Sequence, residues 1–349
     1  MYAFRLLTTL LLTFAAVPTL AQDEQFATDD MKKKLLEEDK KEEEIKDGWD
    51  VVAKIGATGS LNHNSDVVGV EDGVSVLIGG ILSLDANFRD GPHRWENLFS
   101  IQESFTKPQN PDVFIKSLDQ FDILSTYFYR FGTPDWLGLF GRLSFNTQIL
   151  PGSYTVLDEG ITTLRRRDRV TGDLTDSTIT VVPGDTIDLT GAFEPLTLRQ
   201  SVGLFADPVK SKPINLSFKL GLGAQEIITQ EGDRFIELQD DDTVVLVEDL
   251  EGFVFELGVE VEADARGELV PDIFTYFLTF NAFYPPFTTS DIDRDFADSI
   301  NMRFKAGVGL KVTQAVSIDY VLTVLRIPAV TTDVQVQGGL LISAAFDLI

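Results

Sequence analysis

The stretch INMRFKAGVGLKV, residues 300–312, alternates apolar and polar side chains along its whole length. Successive side chains of a β-strand point to opposite faces, so this alternation predicts a strand with one apolar face and one charged face. The apolar face comprises Ile300, Met302, Phe304, Ala306, Val308, Leu310 and Val312. Twelve stretches of the chain share this pattern, which is typical of a wall between lipid and a wet interior. We therefore predict an all-β fold, a transmembrane antiparallel up-and-down β-barrel of about 12 strands.

The predicted strands are separated by connections that alternate in length. We expect the strands at 49–62, 73–88, 93–106, 117–131, 136–149, 191–205, 214–229, 252–264, 272–284, 299–313, 316–327 and 334–348. The longest connections cover 150–190, 230–251 and 285–298, and they fall on the side opposite to the short turns. In outer-membrane barrels short turns face the periplasm, so the sorting predicts long loops outside and both termini in the periplasm.

The N-terminal residues predict export from the cytoplasm. Arg5 precedes an apolar core at about 6–17, and Thr19-Leu20-Ala21 forms a small-x-small site with cleavage expected behind Ala21, which together indicate a secretory signal peptide over 1–21. Residues 22–48 are dense in charge and are interpreted as a periplasmic linker or solvated helix. The barrel domain is expected over 49–349. These segments predict a protein of the bacterial outer membrane.

Composition excludes several classes of function. The formal net charge of −26 is unsuited to nucleic acid, which requires clustered lysine and arginine. The chain has no cysteine, so disulfides and thiolate metal sites are excluded. An acidic exterior attracts cations, and it is equally typical of proteins that live in high salt.

The inward faces of the predicted strands carry charge of both signs. A lumen network is predicted from Arg142, Arg199, Lys219, Glu256, Glu260, Glu262, Arg303 and Lys305. One interpretation is a salt-bridged interior that fills the barrel, since buried charges persist only when paired. The other is a polar conduit, because a barrel of this size lies between small filled barrels and open porins. Gln substitutions at Glu256 and Glu260 should shift ion selectivity in a conduit and lower heat stability in a filled barrel.

No catalytic site, cofactor site or strong metal site is expected. The only histidines, His63 and His93, fall in connections, so a strand serine lacks the base that would activate it. Acidic residues of the 230–251 loop, among them Asp240, Asp241 and Asp242, are weak candidates for a divalent cation, because their spacing matches no EF-hand. The basic cluster RRRDR at 165–169 is expected to pair with that acidic loop or to meet lipopolysaccharide phosphates.

Several segments resemble a family of outer-membrane barrels known only as a domain of unknown function. The resemblance covers about 84–325 and rests on HRWENLFSI (93–101), KSLDQFDILSTYFYRF (116–131), FNTQILPGSY (145–154), LRQSVGLFADPVKSKPINLSFKLGLGAQE (198–226) and INMRFKAGVGLKVTQAVSIDYVLTVL (300–325). It implies the barrel fold and no particular activity. The expected function is a barrel of unknown substrate, either a channel for small solutes or a closed structural or partner-binding barrel that acts through its extracellular loops. The expected partners are the lipid bilayer, lipopolysaccharide and divalent cations.

Overall fold

The computed structural model describes most of the chain after the charged N-terminal segment. The described residues are 47–64, 73–107, 114–156, 160–230, 232–239, 243–271, 273–290, 296, 299–313, 316–327 and 331–347. The predicted signal peptide and the 22–46 part of the predicted linker lie outside them. Within these ranges no helix is long and apolar enough to cross a membrane.

Twelve long antiparallel strands form one closed barrel. They are β1 (Gly48–Asn64), β2 (Gly73–Asp90), β3 (His93–Lys107), β4 (Ile115–Arg130), β5 (Leu137–Thr147), β10 (Leu196–Ser211), β11 (Ile214–Ile228), β14 (Phe253–Val270), β15 (Phe274–Thr288), β16 (Asn301–Lys311), β17 (Val316–Ile327) and β18 (Thr331–Asp347). Each strand pairs with the next barrel strand along the chain. The barrel closes where Lys54–Gly59 of β1 pairs with Ile342–Asp347 of β18, which leaves no open edge in the wall. The predicted strand number and order are confirmed.

Side chains alternate between an outer apolar wall and a buried interior, as strand geometry requires. Along β14 the outward Phe253, Leu257, Val259 and Val261 are exposed, whereas the glutamates between them are buried. β16 shows the same alternation, since its outward residues Met302, Phe304, Val308 and Leu310 are exposed. An exposed wall of large apolar side chains is unfavourable in water and suited to hydrocarbon, so the barrel is of the transmembrane type.

Aromatic side chains mark one rim of the barrel. Trp49, Trp95 and Trp136 lie at the end that carries the short turns, here called the short-turn rim, and each exposes between 41% and 59% of its surface. The ring centres of Trp49 and Trp95 lie 5.9 Å apart, with the two planes tilted by 54°. Amphipathic rings favour the headgroup layer of a membrane, so this rim lies level with one interface.

The two longest connections, at the opposite or long-loop rim, contain six short strands that the sequence did not predict. The loop after β5 holds β6 (Gly152–Thr155), β7 (Thr163–Arg167), β8 (Leu174–Thr178) and β9 (Thr186–Thr190), and the loop after β11 holds β12 (Asp233–Gln239) and β13 (Val244–Asp249). These strands form a two-stranded sheet and a four-stranded sheet in the order β12-β13-β7-β8. We call the four-stranded sheet the loop sheet. The sequence predicted these segments as long connections, which the structure bears out, but it did not predict the short strands within them.

Candidate functional site

The charged lumen residues lie on adjacent strands of one half of the barrel. β5, β10, β11, β14, β15 and β16 are consecutive in the wall, and the glutamates of β14 stand between basic residues on either side. Each predicted charged residue lies on the inward face of its strand, and its neighbours along the strand face the lipid. We call the residues Arg142, Arg199, Lys219, Glu260 and Glu262 the lumen network.

Arg142 spans the inside of the wall from β5 to β14. Its Nη1 donates to Glu262 Oε2 at 2.8 Å, its Nη2 donates to Glu260, and its Nε donates to Ser201 Oγ at 3.2 Å. β10 and β11 lie between these strands, so the contact crosses three strand spacings, about 14 Å of wall at 4.7–4.9 Å each. One arginine thus connects strands that do not touch.

A glycine in the inner face of β11 allows close packing beside the lumen network. A Cβ at Gly221 would lie 2.6 Å from the carbonyl oxygen of Val202 and 3.2 Å from the Phe140 ring. Because this spacing is tighter than side chains tolerate, only glycine lets the neighbouring strand and the Phe140 ring lie this close to β11.

Glu260 and Glu262 each accept from more than one donor. Glu260 faces Arg142, Arg199 Nη2 at 3.3 Å and Asn281 Nδ2 at 3.4 Å, although only 1% of its surface is exposed. Glu262, 8% exposed, accepts from Arg142 and Lys219. A buried carboxylate requires a cationic partner to stay ionised, and both glutamates have two.

The remaining predicted residues lie close to this network. Glu256 and Arg303 are near enough to act electrostatically on Arg199, as are Arg142 and Glu262. Glu256 and Lys305 are each 2% exposed, and Lys305 faces the lumen from β16. The sequence therefore placed all eight residues on the inner face, and the structure brings seven of them into one electrostatic cluster.

Aromatic rings that the sequence did not single out complete the site. Phe140, Phe205 and Phe283 face inward and are 1–2% exposed. The guanidinium of Arg199 lies 4.8 Å from the centre of the Phe283 ring, a favourable cation–π distance. Arg94 over Phe128 at 4.1 Å repeats this arrangement nearer the short-turn rim. The two-residue alternation of a strand could have identified them, since it places Phe205 on the same inward face as Arg199 and Ser201.

The loop sheet joins the two longest loops. β7 pairs in parallel with β13, and Arg166 Nη2 of one loop lies 2.5 Å from Asp233 Oδ2 of the other. Val156, Ile161, Ile187, Val245 and Val247 form a separate buried apolar core beneath it. The expected pairing of the basic cluster at 165–169 with the acidic loop is confirmed by these contacts.

Two aspartates of the loop sheet have a pKa below the usual range. Arg165 donates to both oxygens of Asp176, at 2.8 and 2.9 Å, and this bond lowers the pKa of Asp176. The backbone N–H groups of Thr171 and Val170 donate to Asp168 and lower its pKa likewise.

The weaker candidates receive no structural support. Asp240, Asp241 and Asp242 lie outside the described residues. Among the described residues no group of three acidic, histidine or cysteine side chains is arranged to hold a metal ion. His93 begins β3, and its Nδ1 contacts the hydroxyl of Tyr127 at the short-turn rim.

Comparisons with known proteins show likeness in fold only. No family model and no curated protein matches the chain. Similar solved structures include an outer membrane channel from Pseudomonas putida F1, at 8% identity and TM-score 0.39, over 87% of this chain and 96% of that one. The translocator domain of autotransporter NalP from Neisseria meningitidis has 10% identity and TM-score 0.39, over 93% and 99%. The β domain of the Bordetella autotransporter BrkA has 8% identity and TM-score 0.34, over 86% and 99%.

Proposed function

We propose that this chain is an outer-membrane β-barrel whose lumen is closed by paired side chains and whose folded long loops meet a partner outside the cell. The observation that carries the proposal is the buried strap from Arg142 to Glu260 and Glu262. Each of its charges lies against a partner of opposite sign, so the pairs hold the side chains of β5 and β14 together across the inner wall.

Burial on the other half of the barrel supports a closed interior. Ser83 of β2 and Ser100 and Gln102 of β3 face the lumen, and none of them exposes more than 3% of its surface. Residues that line a water-filled pore are wetted, whereas these are covered by neighbouring side chains. We therefore propose that side chains fill the middle of the barrel on both halves.

The proposed orientation places the short-turn rim and both termini in the periplasm. The loop sheet would then face the outside, where its own apolar core keeps it folded. Arg165 and Arg166 are already paired within the sheet. We propose lipopolysaccharide and divalent cations as the first partners to test, with no catalytic role.

Conductance in a planar lipid bilayer tests the closed lumen. The wild-type protein should insert without steady ion current, because the strap blocks the path. Arg142→Ala removes the strap and should produce stepwise current. Leu143→Ala is the matched control, since the adjacent side chain is 50% exposed on the lipid-facing wall, and it should stay silent.

A conduit for small solutes is the second candidate. It is favoured by the side chains of Arg142, Arg199 and Lys219, which keep 14–22% of their surface accessible. Steady wild-type current whose ion selectivity changes in Glu260→Gln would support this candidate and contradict the closed barrel.

A further inference from the structure

Three arginines stand together on the inner face of the short-turn rim. Arg89, near the end of β2, is the cross-strand partner of Arg94 on β3, and Arg130 ends the neighbouring β4. Each alternates with outward residues of its strand, so all three side chains lie at the mouth of the lumen. Like charges directly opposite each other on adjacent strands are destabilising, so this cluster requires carboxylates beside it.

The carboxylates at this mouth are shared among the cations. Asp207 of β10 lies 2.8 Å from Arg130 Nη2 and 3.1 Å from Lys210 Nζ. Glu96 Oε1 lies 3.1 Å from Arg94 Nε. Two carboxylates therefore serve three cations in direct ion pairs.

Arg89 is the cation that these pairs leave over. Glu96 and Asp50 attract it electrostatically, while Arg94 and Arg130 repel it. Neither carboxylate forms an ion pair with the Arg89 guanidinium in the part of the chain that the structure describes. The cluster can therefore accept a further carboxylate at Arg89.

The chain enters the barrel beside this cluster, directly from an acidic run. Gly48, the first residue of β1, is the cross-strand partner of Arg89. The run EEDKKEEE at 37–44 ends four residues before Gly48 and carries six carboxylates against two lysines. Four extended residues span at most about 14 Å, so the last carboxylates of the run can reach Arg89.

The backbone changes direction where the run meets the barrel. Gly48 has a φ of 125°, and a Cβ built there would meet no atom within 4 Å. The glycine is therefore required by the conformation of the chain and not by lack of space. Since strand residues have negative φ, the incoming chain does not continue the line of β1, and it can turn over the mouth of the lumen.

We propose that the acidic run at 37–44 docks in the mouth of the lumen at the short-turn rim, with its carboxylates against Arg89, Arg94 and Arg130. The tether to β1 makes weak contacts sufficient, because a short linker holds the run at an effective concentration on the order of millimolar. The barrel thus carries its own anionic ligand at this mouth.

Two of the arginines are already held in place for this contact. The guanidinium of Arg94 lies 4.1 Å from the centre of the Phe128 ring, and that of Arg130 lies 5.7 Å from the centre of the Phe205 ring. Side chains that are ordered before binding lose less entropy when the ligand arrives.

Trypsin cleavage after Lys40 and Lys41 tests the contact in the full-length protein in detergent. Docking should shield both sites at low salt and expose them as the ionic strength rises, because salt screens exposed charge pairs. Arg89→Gln should make cleavage about threefold faster at low salt, the effect of losing one exposed ion pair. Rapid cleavage of the wild type at low salt, or an unchanged rate in Arg89→Gln, would overturn the proposal.

Arg266→Gln is the matched control. Arg266 lies on the inward face of β14 at the same rim, and β14 is six strands from β2 in the closed order of twelve, directly across the barrel. Its replacement should leave the cleavage rate unchanged. Heat-modifiable gel mobility should show that both variants keep the folded barrel.

A disulfide gives a second test that does not depend on a protease, because the chain has no cysteine of its own. Glu43→Cys should form an intrachain disulfide with Glu96→Cys, whose side chain is 39% exposed beside Arg94. Glu43→Cys should not do so with Glu268→Cys of β14, across the mouth. Equal crosslinking of the two pairs would overturn the proposal. If inorganic phosphate then stabilised the wild type and not Arg89→Gln, the cluster would instead be a site for a free anion.

Discussion

Glu260 is the residue on which the lumen network depends most. Its carboxylate faces donors from β5, β10 and β15, and almost none of its surface reaches solvent. Removing that charge leaves the guanidinium of Arg199 without its closest carboxylate and weakens the strap of Arg142. The cost of an uncompensated buried charge exceeds the value of the pair itself.

Glu260→Gln should therefore lower the free energy of unfolding by about 3 kcal/mol, the range found when one partner of a buried ion pair is removed. Urea unfolding in detergent, followed by gel mobility, measures this change. Glu226→Gln on the outer face of β11 is the control and should alter stability by less than about 0.5 kcal/mol. Equal stability of Glu260→Gln and wild type would contradict a structural role for the network.

The sequence correctly predicted which face of the wall each charged side chain occupies, but it predicted only some of the contacts between them. The alternation of β14 predicted that Glu256, Glu260 and Glu262 point inward, and they do. It did not predict that Arg142 reaches across two intervening strands, because that contact depends on the strand register and on the curvature of the closed wall. It also overlooked Phe205 and Phe283, since aromatic rings on an inner face resemble lipid-facing ones in composition.

The loop sheet is the element that could not be predicted from the sequence. β7 and β13 pair in parallel although they are separated by β8 to β12. β8 is exposed along its whole length and β13 is buried along nearly all of it, so neither shows the alternation of a half-buried strand. Such short strands depend on contacts with distant residues, which a local pattern does not contain.

Acid should loosen the edge of the loop sheet. The pKa of Asp176 is lowered by Arg165, so its contribution to stability is present above the unfolded value of 3.8 and is lost as the pH falls through the lower, folded pKa. Cleavage of the β7–β8 hairpin by pepsin should accordingly rise below about pH 4 in the folded protein.

Asp176→Asn provides the control for that experiment. The variant lacks the ionisable group, so its hairpin should be cleaved at all pH values more readily than wild type, with a weaker rise on acidification. If both proteins show the same rise, the Arg165–Asp176 bond does not secure this edge.

The whole molecule has two chemically distinct rims, and their orientation in the cell can be tested. Val170, 60% exposed in the turn before β8, and Asp90, exposed at the short turn after β2, mark opposite ends. A membrane-impermeant maleimide applied to intact cells should label Val170→Cys and spare Asp90→Cys until the outer membrane is opened. The reverse pattern would invert the proposed topology.

The sequence by itself determined the number and order of the barrel strands and the face of their side chains, because the two-residue period of a strand acts locally and the partition between lipid and interior follows from it. Only the tertiary structure decided which charges meet and how the long loops fold on each other. Those features arise from contacts between strands far apart in the chain, which register and curvature set once the barrel has closed.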